Sequence, residues 1–344
     1  MGVNLKPIIV KRDISFNEIK GRRIAIDAYN ALYQFLATIR QIDGKPLMDS
    51  QGNVTSHLNG LLYRTVNLLE KDIRPVYVFD GKPPELKKAE ILRRMEQKSE
   101  AIIKYEEALK RGDLEEARIY AQQTSKLTTY MVDEAKKLLT YLGVPWVQAP
   151  SEGEAQAAYM VVKGDVWASA SQDYDSLLYG APRLIRNLTI SGRRKIAKRN
   201  IYINISLELI FLEEVLKKLD ITRVQLIDIA ILLGTDYNPG GVRGIGPKKA
   251  LELIKRYGGL EKIIKIIGKE SFNVDPFSIR EIFLKPEISD DYKLEWGNVD
   301  EDKLIKLLCD SHDFSYDRVK KAIERVKKAY DINIKQMRLE SWFG

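Results

Sequence analysis

Cysteine is almost missing from these 344 residues. The one copy, Cys309, excludes an internal disulfide and a cysteine-built zinc site, and it fits a reducing compartment. Histidine is nearly as scarce. His57 and His312 alone give Ser-His-Asp chemistry, histidine relays and His-rich zinc sites little to work with, so carboxylates and lysines must carry any catalysis. Long apolar runs are missing too. The longest, around Ile227–Leu233, reads as a short buried element and not as a membrane span. The opening MGVNLKPIIV has neither a long apolar core nor a small-residue cleavage pattern, and Lys6 stands where a myristoylation signal wants Ser or Thr. The expectation is a soluble, cytoplasmic protein. No repeat, low-complexity tract or Pro/Ser-rich linker divides the chain, which points to one compact unit with insertions.

What is present is positive charge. A net +8 and a pI near 9.2 favour polyanionic partners such as nucleic acid, although charge alone decides nothing. Short β-branched or aromatic runs end in acidic residues: Arg23-Ile-Ala-Ile-Asp27 and Val76-Tyr-Val-Phe-Asp80. Val144–Gln148 and Val166–Ala170 read as two further strands. Amphipathic helices over Asn30–Arg40, His57–Lys71, Tyr130–Leu142 and Glu154–Lys163 separate them. This alternation predicts an α/β fold with a central, mostly parallel sheet flanked by helices. Its functional crevice lies beyond the carboxyl ends of the strands, where Asp27, Asp80 and Asp173 fall. Glu85–Lys126 is charge-rich and broken at Gly112: a solvated helical pair, or a lid inserted directly after Asp80. After Gly240 the pattern reads as helical to the end of the fold, and Asp331–Gly344 as a tail.

Acidic residues gather in local clusters: Asp27 in IAIDAYNALYQFL, Asp80 in VYVFDGKPP, Glu152 and Glu154 in APSEGEAQAAY, Asp173 and Asp175 in SQDYDSLLYG, and Asp236 in LLGTDYNPGG. Singly, each has a plain structural explanation. Asp80 before Gly81 starts a turn, Ser151-x-x-Glu154 is a capping box, and Asp173 and Asp175 are loop residues. Together they are harder to dismiss, because like charges converging on one crevice force protonation unless a cation compensates them. Hard oxygen ligands select Mg²⁺ or Mn²⁺ over zinc. Two such ions about 4 Å apart clamp a phosphodiester during metal-assisted hydrolysis.

IAIDAYNALYQFL, PVYVFDGKPPELK, APSEGEAQAAYM, SQDYDSLL and LLGTDYNPGGVRGIGPKKALELI resemble, in order, the motifs of the structure-specific flap endonucleases among the 5′ nucleases. The resemblance spans nearly the whole chain, and the length and short tail look like the archaeal form. It implies a PIN-like 5′ nuclease fold with a helical arch and a helix-hairpin-helix. It also implies two Mg²⁺ ions, with Mn²⁺ as a substitute: Asp27, Asp80, Glu152 and Glu154 serve one, and Asp173, Asp175 and Asp236 chiefly the second. The implied reaction is cleavage one nucleotide into the duplex at a 5′-flap junction in Okazaki-fragment maturation and base excision repair, with 5′-to-3′ exonuclease activity.

Lys87 and Arg94, seven residues apart, share one helix face two turns apart. As residues they are solvated cations; by resemblance they are the basic pair at the base of the arch that stabilises the scissile phosphate. Tyr33, as an isolated tyrosine a core residue, matches by resemblance one on which a substrate base stacks. Arg40 and Arg64 match DNA-contacting arginines, and the polar stretch Gln41–Gly60 helps form the pocket for a one-nucleotide 3′ flap. Gly2 lies close to the active site by resemblance, and Gly234, Glu152 and Asp236 join the DNA contacts. In Val242-Arg-Gly244-Ile-Gly246-Pro-Lys248-Lys249 two glycines permit a tight hairpin and Pro247 suits a first helical turn. Backbone amides there, with Lys248 and Lys249, suit a duplex phosphate; in relatives a K⁺ joins them. Arg193–Arg199 adds a sequence-blind contact or a solvated charge run.

Gln336, Leu339, Trp342 and Phe343 have the spacing of the sliding-clamp (PCNA) interaction motif: one helical turn makes an apolar plug that a partner must bury. The implied division is an N-terminal nuclease region (1–99), an arch or linking segment (100–129, the arch beginning near 85), and an intermediate nuclease region with the helix-hairpin-helix (130–260). A C-terminal helical region (261–330) and a clamp-binding tail (331–344) complete it. The expected state is a monomer apart from the clamp. A non-catalytic clamp-tethered DNA scaffold, and a bubble-cutting or processive exonuclease, stay open as alternatives.

Overall fold

The computed structural model describes every residue except Met1, Ile42, Ser191, residues 196–201 and Gly344; for residues 192–195, 202–204 and 333–343 it describes the backbone alone. The first half contains β1 (Arg12–Ile14), β2 (Arg23–Asp27), α1 (Ala28–Thr38), α2 (Ser56–Glu70), β3 (Arg74–Phe79), α3 (Lys88–Lys110), α4 (Leu114–Gln123) and α5 (Thr129–Tyr141). There follow β4 (Trp146–Gln148), α6 (Gly153–Lys163), β5 (Ala168–Ala170), α7 (Asp175–Leu178), β6 (Arg183–Arg186), the hairpin β7 (Gly192–Lys195) and β8 (Tyr202–Ile205), and β9 (Leu207–Phe211). The remainder is helical: α8 (Leu212–Leu219), α9 (Arg223–Leu233), α10 (Pro247–Tyr257), α11 (Leu260–Ile267), α12 (Pro276–Leu284), α13 (Glu301–Ile305) and α14 (Tyr316–Phe343).

The sheet order is β1-β9-β6-β5-β2-β3-β4, with β6, β5, β2, β3 and β4 parallel and β9 antiparallel to both β6 and β1. Ile24, Ala25 and Ile26 of β2, like Val76, Tyr77 and Val78 of β3, are buried on both faces, as central parallel strands require. Strand order reverses between β2 and β5, so a crevice opens there at the carboxyl edge. One core packs α1, α2, α5, α13 and α14 on the sheet; a second joins β6 and β9 to α7–α12.

Two expectations need correction. The region after Gly240 is not helical throughout, because residues 285–300 form an extended strap. Tyr292, Leu294 and Trp296 from it cap the third apolar cluster, and Trp296 Nε1 donates to the Pro75 carbonyl (2.9 Å). A Cβ on Gly143 would lie 1.6 Å from the Gly297 carbonyl oxygen, so only glycine admits the strap where it crosses. The second concerns Ser151-x-x-Glu154. Glu152 takes the N-cap position of α6 and its own side chain makes no capping hydrogen bond, so no capping box accounts for Glu154.

Past Asp331 the backbone continues as α14 to Phe343. The side chains of Gln336, Leu339, Trp342 and Phe343 lie outside the described residues, as does the end of the basic run Arg193–Arg199, whose first three members lie in β7. Among the described residues no helix is long and apolar enough to cross a membrane.

Candidate active site

Each carboxylate in the crevice is positioned by a different element. Asp27 ends β2 and caps α1, its Oδ1 accepting from Asn30 N–H at 2.9 Å. Asp80 follows β3; its Oδ1 accepts from the first N–H of α6, that of Gly153, at 2.7 Å, so it does not serve a turn of its own. Glu154 lies in the first turn of α6 and accepts from Ser176 Oγ. Asp173 follows β5. Its Oδ1 accepts from Gly2 N–H (2.8 Å) and its Oδ2 from Asn30 Nδ2 (3.4 Å), while its own N–H donates to Ser171 Oγ, which reaches Asp27. Asp175 accepts from Val3 N–H at 3.2 Å. The N-terminal segment is thus wedged against the site. A Cβ on Gly2 would stand 2.6 Å from Asp175 Oδ1, which leaves no room for a side chain there.

Lys87 and Arg94 close the crevice from the arch. Lys87 Nζ lies 2.6 Å from Glu152 and 3.4 Å from Asp236; Arg94 Nη2 donates to Asp236 at 2.6 Å. Behind them Glu90, only 2% exposed, accepts from both Arg93 and Arg94 and aims the second. The face predicted from the seven-residue spacing is therefore real and points inward. Glu90 was not singled out from sequence, although its i+3 and i+4 arginines are the signal.

The electrostatics link all seven acids. Burial, then the charges of Asp80 and Asp173, pushes Asp27 up to about 8. Burial with Asp173 and Asp236 raises Asp175 to about 7, and burial with Glu152 raises Asp80 to about 6. Glu154 is raised well above the usual range by burial and by Asp175, Asp27 and Asp173. Burial opposes the charge on Lys87, but Glu152, Asp236 and Asp80 outweigh it and hold the ammonium. Seven carboxylates thus face two cationic side chains.

Such a set fits divalent cations on chemical grounds. Its donors are all hard oxygens, its acids are destabilised by one another, and charge from outside the chain relieves both. Among the described residues no three groups already stand as a closed ligand set around one point; Lys87 and Arg94 hold Glu152 and Asp236.

Around this centre, Tyr33 is 42% exposed, with Lys98 Nζ 5.9 Å from its ring centroid, so it is not a core tyrosine. Arg40 donates to the Leu36 and Gly44 carbonyls and to Ser125 Oγ, which commits its guanidinium to shaping the turn after α1. Arg64 is half-buried on α2 near Tyr77. Gly234 ends α9 with φ +100, packed on Gly240 and Gly241. In the hairpin before α10, Gly244 has φ +78, and open space surrounds the Cα of both Gly244 and Gly246. Gly246 is the N-cap, Pro247 begins the helix, and Lys248 and Lys249 are exposed.

Residues 1–101 match the XPG N-terminal domain and residues 143–236 the XPG I-region. Over 350 aligned residues, covering all of both chains, the protein is 60% identical to flap endonuclease 1 of Staphylothermus marinus. The chain belongs to the flap endonuclease 1 family. A second family member, from Pyrococcus furiosus, is 56% identical over 343 residues, covering 100% of this chain and 99% of that one. Among solved structures, flap endonuclease-1 from Methanococcus jannaschii superposes with a TM-score of 0.77 at 48% identity, covering 96% of this chain and 100% of its own. The catalytic core of Rad2 in complex with DNA substrate superposes at 0.68 and 26% identity, covering 92% and 96%. The family fold is an XPG-type nuclease fold, and the mostly parallel sheet with flanking helices expected from sequence is what the flap endonuclease family shares.

Proposed function

We propose the following division of labour for this chain, which as a member of its family is a structure-specific, divalent-metal-dependent flap endonuclease. Its substrate is branched duplex DNA with a 5′ flap, cut one nucleotide inside the junction, with related 5′-to-3′ exonuclease action on nicked or gapped duplex. Asp27, Asp80, Glu152 and Glu154 hold one Mg²⁺, and Asp173, Asp175 and Asp236 a second; Mn²⁺ substitutes. When bound, such ions activate water for attack and neutralise charge on the departing oxygen.

The chain's own residues do the rest. Asn30, Ser171 and the Gly2 and Val3 amides hold the carboxylates in register. Lys87 and Arg94 turn from Glu152 and Asp236 to the scissile phosphate and offset its developing charge. Tyr33, exposed beside Lys98, stacks a base next to the cut. Gly244–Lys249 grips a duplex phosphate with a K⁺ ion, and Arg64 contacts the backbone. Arg40 acts by holding the 40–55 turn, which together with residues up to Gly60 receives a single unpaired 3′ nucleotide. Gln336, Leu339, Trp342 and Phe343 dock on a sliding clamp of the PCNA type, and the protein works as a cytoplasmic monomer apart from that clamp.

The observation that carries this reading is the set of seven linked acids at the carboxyl edge of the sheet, faced by Lys87 and Arg94. The deciding assay uses a labelled double-flap substrate with Mg²⁺ or EDTA, beside bubble and blunt duplexes. Cleavage of the flap alone, abolished by EDTA, is expected. Tight binding without hydrolysis at any metal concentration makes the chain a scaffold and overturns the proposal.

A further inference from the structure

The only two histidines of the chain meet in one buried cluster away from the carboxylate crevice. His57 comes from the first turn of α2, Glu134 from α5, His312 from the loop before α14, and Asp49 from the turn between α1 and α2. Their side chains are all at most 3% exposed. His312 Nδ1 lies 2.9 Å from Asp49 Oδ2, and its Nε2 lies 2.5 Å from Glu134 Oε1. A neutral imidazole has one N–H and cannot donate to two carboxylates; an imidazolium donates to both. This geometry therefore describes a cation between two anions.

Asp49 is also what shapes the turn. Its Oδ1 accepts from the N–H groups of Gln51 (3.0 Å) and Asn53 (2.8 Å), and its Oδ2 from Asn53 Nδ2 (3.0 Å). Burial alone would raise Asp49, but the bonds from Asn53, His312 and the turn amides hold it at about 2. Beside it Ser50 N–H donates to Asp313 Oδ2. The same turn touches the arch, since Tyr105 OH of α3 donates to the Asp43 carbonyl and Arg40 bridges Gly44 to Ser125.

We infer that His312, as an imidazolium, is a positioning residue: it fixes the 43–55 turn, and through that turn the unpaired 3′ end of the substrate. The inference rests on the reading of this turn as the 3′-end site. Loss of the proton turns one ring nitrogen into an acceptor facing a carboxylate oxygen, so one anchor becomes a repulsion and the turn loosens. The other titratable groups that face the cluster are His57, whose Nε2 is 3.6 Å from Glu134 Oε2, Tyr130 next to Glu134 on α5, and Asp313 next to His312. Neither His57 nitrogen has a hydrogen-bond partner among the described residues.

The test compares cleavage of a flap carrying one unpaired 3′ nucleotide with cleavage of the same flap lacking it, in Mg²⁺. The ratio of the two kcat/KM values cancels effects on the chemistry that both substrates share. His312→Gln, which is neutral, should shrink the preference for the 3′-flapped substrate by about fivefold, the scale of one lost hydrogen bond. His312→Lys, which keeps a cation between Asp49 and Glu134, should keep the larger ratio. An unchanged ratio in a folded His312→Gln protein overturns the inference, as does a His312→Lys ratio as small as that of His312→Gln. Should these variants fail to fold, Asp49→Asn, which removes the anion on the turn that the cation holds, is read in their place: a smaller ratio supports the inference and an unchanged one overturns it. No preference for a 3′ nucleotide in the unaltered protein is a different result: it removes the reading of the turn itself, and this inference with it.

Discussion

Two buried acidic clusters in this molecule behave in opposite ways. In the crevice Asp27 and Asp175 are pushed up to about 8 and 7; in the cluster under the 43–55 turn, Asp49 is held at about 2 and Glu134 is lowered too. Burial penalises charge in both. The difference is the partners. Around Asp49 and Glu134 an imidazole and several N–H groups aim at two carboxylates, whereas in the crevice seven carboxylates share Lys87, Arg94 and a few amides. In one cluster the chain's own donors already compensate the acids. The other is complete only with charge brought from outside, which is what a site for cations and phosphate requires.

The comparison can be broken most directly in the crevice. Asp173→Asn should leave flap binding intact and lower single-turnover cleavage by on the order of 10³ or more, the upper scale for loss of one preorganised charge-stabilising group. Retained turnover in Mg²⁺ would count against the crevice as the catalytic centre. Lys87→Met and Arg94→Ala should each reduce the same rate by about a hundredfold, again with binding retained. A loss confined to KM would place both residues in binding alone.

The histidine cluster should fail differently. Glu134→Ala leaves His312 paired with Asp49 but its Nε2–H buried without an acceptor, and should cost about 2 kcal/mol, read from urea midpoints near pH 6. Its effect on cleavage of a flap without a 3′ nucleotide should be small. The crevice, by contrast, should destabilise the metal-free protein as pH rises. Asp27, Asp175 and Asp80 have folded-state values above their ordinary ones, so they favour folding at low pH and lose that contribution as pH climbs through about 6 to 8. Thermal unfolding in EDTA should therefore move down by several degrees between pH 5.5 and 8.5, and Mg²⁺ or Mn²⁺ should reverse the fall with release of protons. A Tm that stays level in EDTA would mean the acids are already compensated. The smallest effect belongs outside both clusters: Lys248→Ala should lower the salt dependence of duplex binding by roughly 0.9 in the log–log slope.

The crevice was legible because its acids close apolar runs. Arg23–Asp27 and Val76–Asp80 announce strand and site in the same five residues, and the helices between them follow from apolar spacing. The antiparallel edge was not. β1 is three residues, Arg12–Ile14, too short for any period, and β9 continues straight into α8. The strap was misread as helix, although Tyr292, Leu294 and Trp296 alternate at period two, the signature of extended chain. The histidine cluster had no local signal at all, since His312 finds its two partners 263 and 178 residues away. Scarcity of histidine turned the reading towards carboxylates and said nothing about histidine as a joint.

That strap has a consequence for how the protein is made. Strands β2 to β5 are complete once residue 170 has been synthesised. Ala157, Met160 and Val161 of α6 cover part of the apolar face over Val76 and Val78, and the rest stays open until Trp296 arrives to bond Pro75 and Gly297 to bond Gly143. Once β9 is made at Phe211, and for about a quarter of its synthesis, the emerging polypeptide carries a finished sheet with one sticky side, the kind of species that aggregates or recruits chaperones. Premature stops before Trp296 should therefore yield insoluble product rather than a smaller working nuclease.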